Sequence, residues 1–261
     1  MNLIPIGAVA IAAVAVMSLA WWIQTRTHNA GWVDVIWSAM TGGAAIWYGI
    51  TGSGAFEPRL LTAVLGGLWG LRLATHLARR LRGEPEDSRY ASMRERTNGS
   101  QRAFWVMYAI QATLVVVCSL PFFAASANPV AGITAWSIAA IALWLFAVGG
   151  ETLADAQLAR FRRDPAHKGH VCEVGLWSWS RHPNYFFEWL HWFAYVLLAV
   201  GSPLLWLAWL GPVLMFVLVY FVSGVPFAER ASLRSRGDAY PDYQARVPKF
   251  FPLPPRRPYS A

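Results

Sequence analysis

GLWSWSRHPNYFFEWLHW, running from Gly175 to Trp192, is the stretch around which this chain is organised. It carries Arg181, His182, Asn184, Glu188 and His191, a hydrogen-bonding cluster that runs straight into an apolar, aromatic segment. An X-Pro step disfavours helix before the proline, whereas proline is tolerated in a first helical turn. The spacing therefore predicts a helix that begins near Pro183. On it Asn184 and Glu188 stand i,i+4 and Glu188 and His191 i,i+3, so the three share one face. If that helix enters a bilayer, an acid, an amide and an imidazole sit at a membrane surface, where such groups are costly and usually functional.

The sequence on either side supplies the membrane. Hydrophobic residues make up 56% of the 261 and charged residues only 14%, where a soluble domain carries about a quarter charged. Fifteen tryptophans and 21 glycines suit a polytopic protein, with aromatics at interfaces and small residues between helices. Seven apolar runs are long enough for a hydrocarbon core of ~30 Å: residues 3–23, 32–52, 60–81, 103–123, 133–153, 183–200 and 203–222. The expected fold is all-α, a single seven-helix membrane domain over 1–261. Gly201-Ser202-Pro203 should turn the sixth run into the seventh as a hairpin. Met1–Trp22 lacks a basic leader and reads as a retained first span.

Basic residues orient the bundle. Of 22 lysines and arginines, 20 fall in the first loop (Arg26), the 79–102 loop, the 160–181 loop and the tail that ends with Arg256 and Arg257. Arg59 alone lies on the opposite side, and Arg72 lies within a run. The positive-inside rule then puts the N-terminus outside and the C-terminus in the cytoplasm. The net charge of +8 is a topological signal that also meets anionic headgroups. No groove-reading module accompanies it, so membrane lipids rather than nucleic acid are the expected partners. The tail from Phe227 to Tyr259, amphipathic and then proline-rich, should lie on the membrane surface.

Several polar groups are candidates for chemistry. Glu151 and Asp155, i,i+4 at the end of the fifth run, precede Arg160, Arg162 and Arg163. They read either as acids pairing with nearby arginines or as a polar wall facing a ligand, with Asp155 and Arg162 best placed. The basic residues of the 160–181 loop, Lys168 and Arg181 among them, precede the start of a helix. Arginine forks together with a helix N-terminus suit a phosphorylated cofactor, although a basic loop also follows from orientation alone. Arg72 lies about nine residues, roughly 13 Å of helix, inside the third run, with His76 one turn nearer the cytoplasm. An ion at that depth costs about 2.5–3.5 kcal/mol or more, so Arg72 should have a partner, and Asp34 and a cofactor phosphate are the candidates. Snorkelling to the interface is the bland alternative. Glu86-Asp87-Ser88-Arg89-Tyr90 reads as a cap or turn, and Tyr243 as an interfacial anchor or a cover for a nucleotide base. Gly-rich nucleotide fingerprints, a Walker loop, zinc spacing and a nucleophile elbow are all absent. Cys118 and Cys172 read neither as a disulfide nor as metal ligands.

Arg181-His182-Pro183-Asn184-Tyr185 with Glu188 and Trp189, after Gly175-Leu176-Trp177, resembles the C-terminal signature of the steroid 5α-reductase-like membrane proteins. Asp34 and Trp37 resemble the Asp-x-x-Trp opening of a bacterial branch of that family. The likeness is clearest over about the last 110 residues, within a reductase-like region from 110 to 261. It implies seven spans with NADPH inserted from the cytoplasm and hydride delivered to a C=C bond conjugated to a carbonyl. It implies that Asn184 and Glu188 hold the nicotinamide end, within the Arg181–His182–Asn184–Tyr185 motif. Asp155, Arg162, Lys168 and Arg181 would hold ribose and phosphates, and Tyr243 would lie over the nucleotide. The family's carbonyl-facing acid and tyrosine have as nearest counterparts Asp34 on the second span and Arg72 and His76 on the third. The substrate implied is a hydrophobic, steroid-like or other lipid molecule entering from the bilayer of a bacterial inner membrane. A second resemblance, through Arg-His-Pro-x-Tyr and the Glu…Tyr…Tyr…Pro tail, is to the isoprenylcysteine carboxyl methyltransferases, which use S-adenosylmethionine. A non-enzymatic lipid-binding protein is the third reading.

Overall fold

The computed structural model describes residues 2–82 and 86–255. Arg256, Arg257 and the stretch to Tyr259 lie outside the described residues. Within them the chain is helical, without strands: α1 (Ile4–Thr27), α2 (Trp32–Thr51), α3 (Phe56–Leu81), α4 (Ser88–Arg96), α5 (Gln101–Ser126), α6 (Ala135–Arg163), α7 (Pro183–Leu198), α8 (Leu205–Ala208), α9 (Leu210–Val217), α10 (Val225–Arg236) and α11 (Ala239–Arg246). Two short 3₁₀ turns, Pro165–His167 and Gly175–Ser178, break the loop before α7.

Five stretches are long and apolar enough to cross a bilayer: α1, α3, α5, α6 and the segment Leu205–Arg236. The protein is therefore an integral membrane protein. Two of the seven runs fall short of that standard. Helix α2 carries three glycines, a serine, two threonines and Asp34. Helix α7 has only 16 residues, roughly 24 Å of rise against a core of ~30 Å. Within 183–198 no residue is exposed, the mark of a helix buried all round. The seventh run is also not one helix. It breaks at Trp209, restarts as α9 with Pro212 in its first turn, and passes into a π-turn at Leu218–Val222 closed by Ser223 N–H to Leu218 O at 2.7 Å. Proline lacks the N–H that a continuous helix needs there. Helix α6, by contrast, runs ten residues past the expected end at 153.

The described residues divide into two units. The first comprises the chain up to Ile138 with Tyr195–Gly211, and the second comprises Ala139–Ala194 with the chain from Pro212 onward. In the first unit α2 and α3 pack through a seam of small residues. A methyl group added at Gly42 would lie 2.8 Å from Gly70 Cα, and one at Gly70 would lie 2.6 Å from Gly42 Cα. Small residues let backbones approach where the surrounding hydrocarbon supplies no hydrophobic drive. Arg59 donates to Gly49 O and Ile50 O at 2.9 and 2.6 Å. It thereby satisfies carbonyls at the end of α2. Val9, Ala13, Met17, Ala20 and Gln24 form the buried stripe of α1, which packs on α5. The predicted turn is present: Gly201 has φ +100°, and Asn128 donates to Leu198 O and Val200 O at 2.8 and 2.9 Å.

Candidate cofactor site

In the second unit the Arg-His-Pro-Asn stretch divides its polar groups between α6 on one side and the α10–α11 segment with the residues that follow it on the other. Pro183 starts α7, as the X-Pro step predicts. Asn184 Nδ2 donates to Asp155 Oδ1 of α6 at 3.1 Å, so these two predicted residues meet. Arg181 is 8% exposed and its Nε donates to Glu229 Oε1 of α10 at 2.7 Å. Its Nη1 donates to Gln244 O and Val247 O at 2.8 and 3.1 Å, and its own N–H to Pro248 O at 2.9 Å. His182 places Nε2 3.3 Å from the same Glu229 oxygen and stacks on Tyr185, with centroids 5.6 Å apart. Gln244 Nε2 donates to Glu229 Oε2 at 2.9 Å, and Tyr240 OH approaches Oε1 at 3.5 Å. Glu229 is thus the hub of the region. Its local sequence does not mark it, because its partner Arg181 lies 48 positions away.

Further bonds fasten the loop before α7 to both sides. Trp177 Nε1 donates to Ala154 O at 2.9 Å, and Gln157 Oε1 accepts from Leu176 N at 2.9 Å. Tyr243 is buried and its hydroxyl donates to Trp177 O at 2.6 Å, so any part it plays toward a cofactor runs through the packing of this loop. Arg246 closes a fork on Glu173 at 2.8 and 2.9 Å. Arg160, Arg162, Arg163 and Lys168 are exposed. Deeper in α7, Glu188 accepts from Trp192 Nε1 at 3.4 Å, and His191 Nδ1 donates to Glu188 O.

Burial governs the titration here. It lowers the His182 pKa, with Arg181 and Lys249 acting the same way and Glu229 opposing. Burial and then the Glu229 charge push Tyr240 up to about 12. Cys172 is likewise raised by burial. Both cysteines are free. Among the described residues no group of three His, Cys, Asp or Glu side chains is placed to hold a metal ion.

Asp34, Arg72 and His76 belong to the first unit. Arg72 and His76 lie one turn apart on α3, both half-buried. Asp34 gives its carboxylate not to Arg72 but to α4: Arg89 Nη2 donates to Oδ2 at 2.6 Å and Tyr90 OH to Oδ1 at 2.9 Å. Arg89 also grips Asp87, which caps α4 through Arg89 N–H at 3.0 Å. Burial would lower the Arg89 pKa, but Asp34 and Asp87 more than offset it, and the shift is upward. Beside this pair Arg94 forks onto Glu86 at 2.8 and 3.0 Å, and Glu86 accepts from Ala30 N at 2.8 Å. Asp34 therefore ties the start of α2 to α4. Asp34→Ala is expected to lower unfolding stability by about 2 kcal/mol, the worth of hydrogen bonds to charged groups. Denaturant titration of the purified protein reads this, and a change near zero would remove the tie.

A family model described as "Protein of unknown function (DUF1295)" matches residues 20–247, and the chain belongs to that family, which is steroid 5α-reductase-like. An uncharacterised protein of Schizosaccharomyces pombe is 27% identical over 268 residues, covering 90% of this chain and 76% of the relative. No solved structure matches the chain.

Proposed function

We propose that this protein is an NADPH-dependent membrane reductase that delivers hydride to an enone-type C=C bond of a hydrophobic, steroid-like or other lipid substrate. The observation that supports the reading is the Asn184–Asp155 bond. It puts an amide and a carboxylate side by side on α7 and α6, the donor and acceptor set that a carboxamide and a ribose require. The residues fit the cofactor in charge as well. Arg181 is spent on Glu229 and backbone carbonyls, so phosphates would fall to the exposed Arg160, Arg162, Arg163 and Lys168. Bound there, NADPH would supply the hydride. The chain would bind it, exclude water from the α7 face, and stabilise charge developing on the substrate carbonyl oxygen through a hydrogen-bond donor.

Helices α2 and α7 would then be spans alongside the five long ones, with the N-terminus outside and the C-terminus in the cytoplasm of a bacterial inner membrane. The site then faces the cytoplasm, where the cofactor is, and the substrate enters from lipid.

Thermal unfolding in detergent, titrated with NADPH and separately with S-adenosylmethionine, tests it. At a hundredfold excess over Kd, NADPH is expected to stabilise the protein by about 2.7 kcal/mol, and the methyl donor to have no effect. Stabilisation by S-adenosylmethionine alone would replace this reading with a methyltransferase. Stabilisation by neither would favour a lipid-binding protein without chemistry. Glu188→Gln is expected to weaken NADPH binding at least tenfold, about 1.4 kcal/mol, and Glu151→Gln to leave it within twofold. Equal small effects would take Glu188 out of the site.

A further inference from the structure

In the first unit α1 and α5 leave between them a groove of about 410 Å³. Ala10, Val14 and Met17 line one wall, and Ala109, Ala112 and Val116 the other. From Ala10 to Ser18 it follows α1 for roughly 12 Å, with Ser18, Tyr108 and Thr113 as its polar points. Apolar walls alone do not identify an occupant. The end of the groove does.

Helices α1 and α5 come together there: Gln24 Nε2 donates to Gln101 Oε1 at 2.7 Å, and Trp21 Nε1 to Gln101 O at 3.2 Å. Trp22 and Trp105, each 51% exposed, stand on the two helices at this end, the residue type that marks a membrane–water interface. One further turn outward are Arg26 and Arg102. On α1 the positions Val14, Ser18, Trp22 and Arg26 follow one another at i+4. On α5, Arg102, Trp105 and Ala109 follow at i+3 and i+4. Such spacings keep each set on one helix face, so each arginine tops the face that forms its wall. The Arg26 guanidinium lies over the Trp22 ring, 5.3 Å from its centroid. Both arginines are exposed, and among the described residues neither has an acidic partner.

From this juxtaposition of a chain-shaped apolar groove and two unneutralised guanidinium groups at its interfacial end, we infer that the α1–α5 groove binds an anionic phospholipid. One acyl chain lies between the helices and the phosphate meets Arg26 and Arg102. Guanidinium forks match phosphate oxygens, and basic clusters beside membrane helices favour anionic headgroups. A second copy of the chain is the poorer occupant. A two-fold contact presents the same patch twice and would bring four exposed arginines together.

The full-length protein in detergent, titrated with phosphatidylglycerol and with phosphatidylcholine of identical acyl chains, tests this by thermal shift and native mass spectrometry. Phosphatidylglycerol is expected to bind about tenfold more tightly or better. That preference should shrink in 1 M salt, where the screening length is about 3 Å. The double variant Arg26→Gln/Arg102→Gln should lose the preference while the lipid-free protein unfolds as before. Ala109→Phe, which fills the groove from an exposed wall position, should weaken both lipids. Equal binding of the two lipids by the unaltered protein overturns the inference, and so does unaltered binding in the Ala109→Phe variant. A concentration-dependent dimer that Ala109→Phe dissolves, with no lipid preference, would give the face to a second copy.

Discussion

Gly70→Ala is expected to destabilise the protein by about 3 kcal/mol, a large loss for a single methyl group. The new Cβ would lie 2.6 Å from Gly42 Cα and 2.9 Å from Ser38 O, both backbone atoms of α2. Real Cβ atoms do not approach so closely, and a backbone cannot turn aside as a side chain can. The two helices must separate, and the seam from Gly42 to Gly49 loosens with them. Overpacking of a tight interior costs about 1–3 kcal/mol and more where nothing yields. Gly43→Ala, one residue along the same helix, is the control. Nothing lies within 4 Å of the added methyl there, so the change should be neutral or stabilising by up to about 1 kcal/mol through helix propensity. Denaturant unfolding of the two variants in one detergent separates them. Similar stabilities for both would mean that α2 and α3 do not meet at these glycines.

Much of this architecture was legible before any coordinates. The His182-Pro183 step located the start of α7, and Gly201-Ser202-Pro203 located its turn, because both depend on backbone rules acting over a few residues. The apolar runs located the helices but not their ends or breaks. Hydropathy reports the surroundings of a segment, so α6 continued past 153 as helix once its surroundings became polar. Pro212 broke the last run without lowering its hydropathy. What stayed hidden was long-range pairing. Asp34 reaches Arg89 across 55 positions and Glu229 reaches Arg181 across 48, and no local spacing announces either. The glycines of α2 and α3 were visible as a composition. Which of them touch follows only from the crossing point of two helices. Asp155 and Asn184 both stand among the candidate cofactor residues, and their contact across 29 positions is another that local spacing could not have supplied.

Glu229→Ala is expected to cost about 3–5 kcal/mol, the usual result of removing one partner from a buried ion pair. The Glu229 side chain is 15% exposed, Arg181 8% and His182 5%. Without the carboxylate, Arg181 keeps its charge among carbonyls and the Gln244 amide loses an acceptor. Replacing the pair as a unit, with Arg181→Met and Glu229→Leu together, should recover part of the loss, because an apolar pair leaves no buried charge behind. A double variant no better than Glu229→Ala would show that Arg181 holds the tail through Gln244 O, Val247 O and Pro248 O rather than through the ion pair. The same cluster sets a pH dependence whose sign follows from His182. Its folded pKa lies below the ordinary histidine value of about 6.5, chiefly through burial. The neutral ring therefore contributes stability that is complete above that value and is lost as pH falls below it, when the unfolded chain takes up a proton that the folded chain resists. Stability measured from pH 8 downward should stay flat to about 7 and then decline. Glu229→Ala should steepen the decline, since Glu229 is the group that opposes the lowered pKa, leaving His182 to face Arg181 and Lys249 alone. His182→Gln should flatten it. A decline that persists unchanged in His182→Gln would assign the pH response to other groups and leave Glu229 with a purely ionic role toward Arg181.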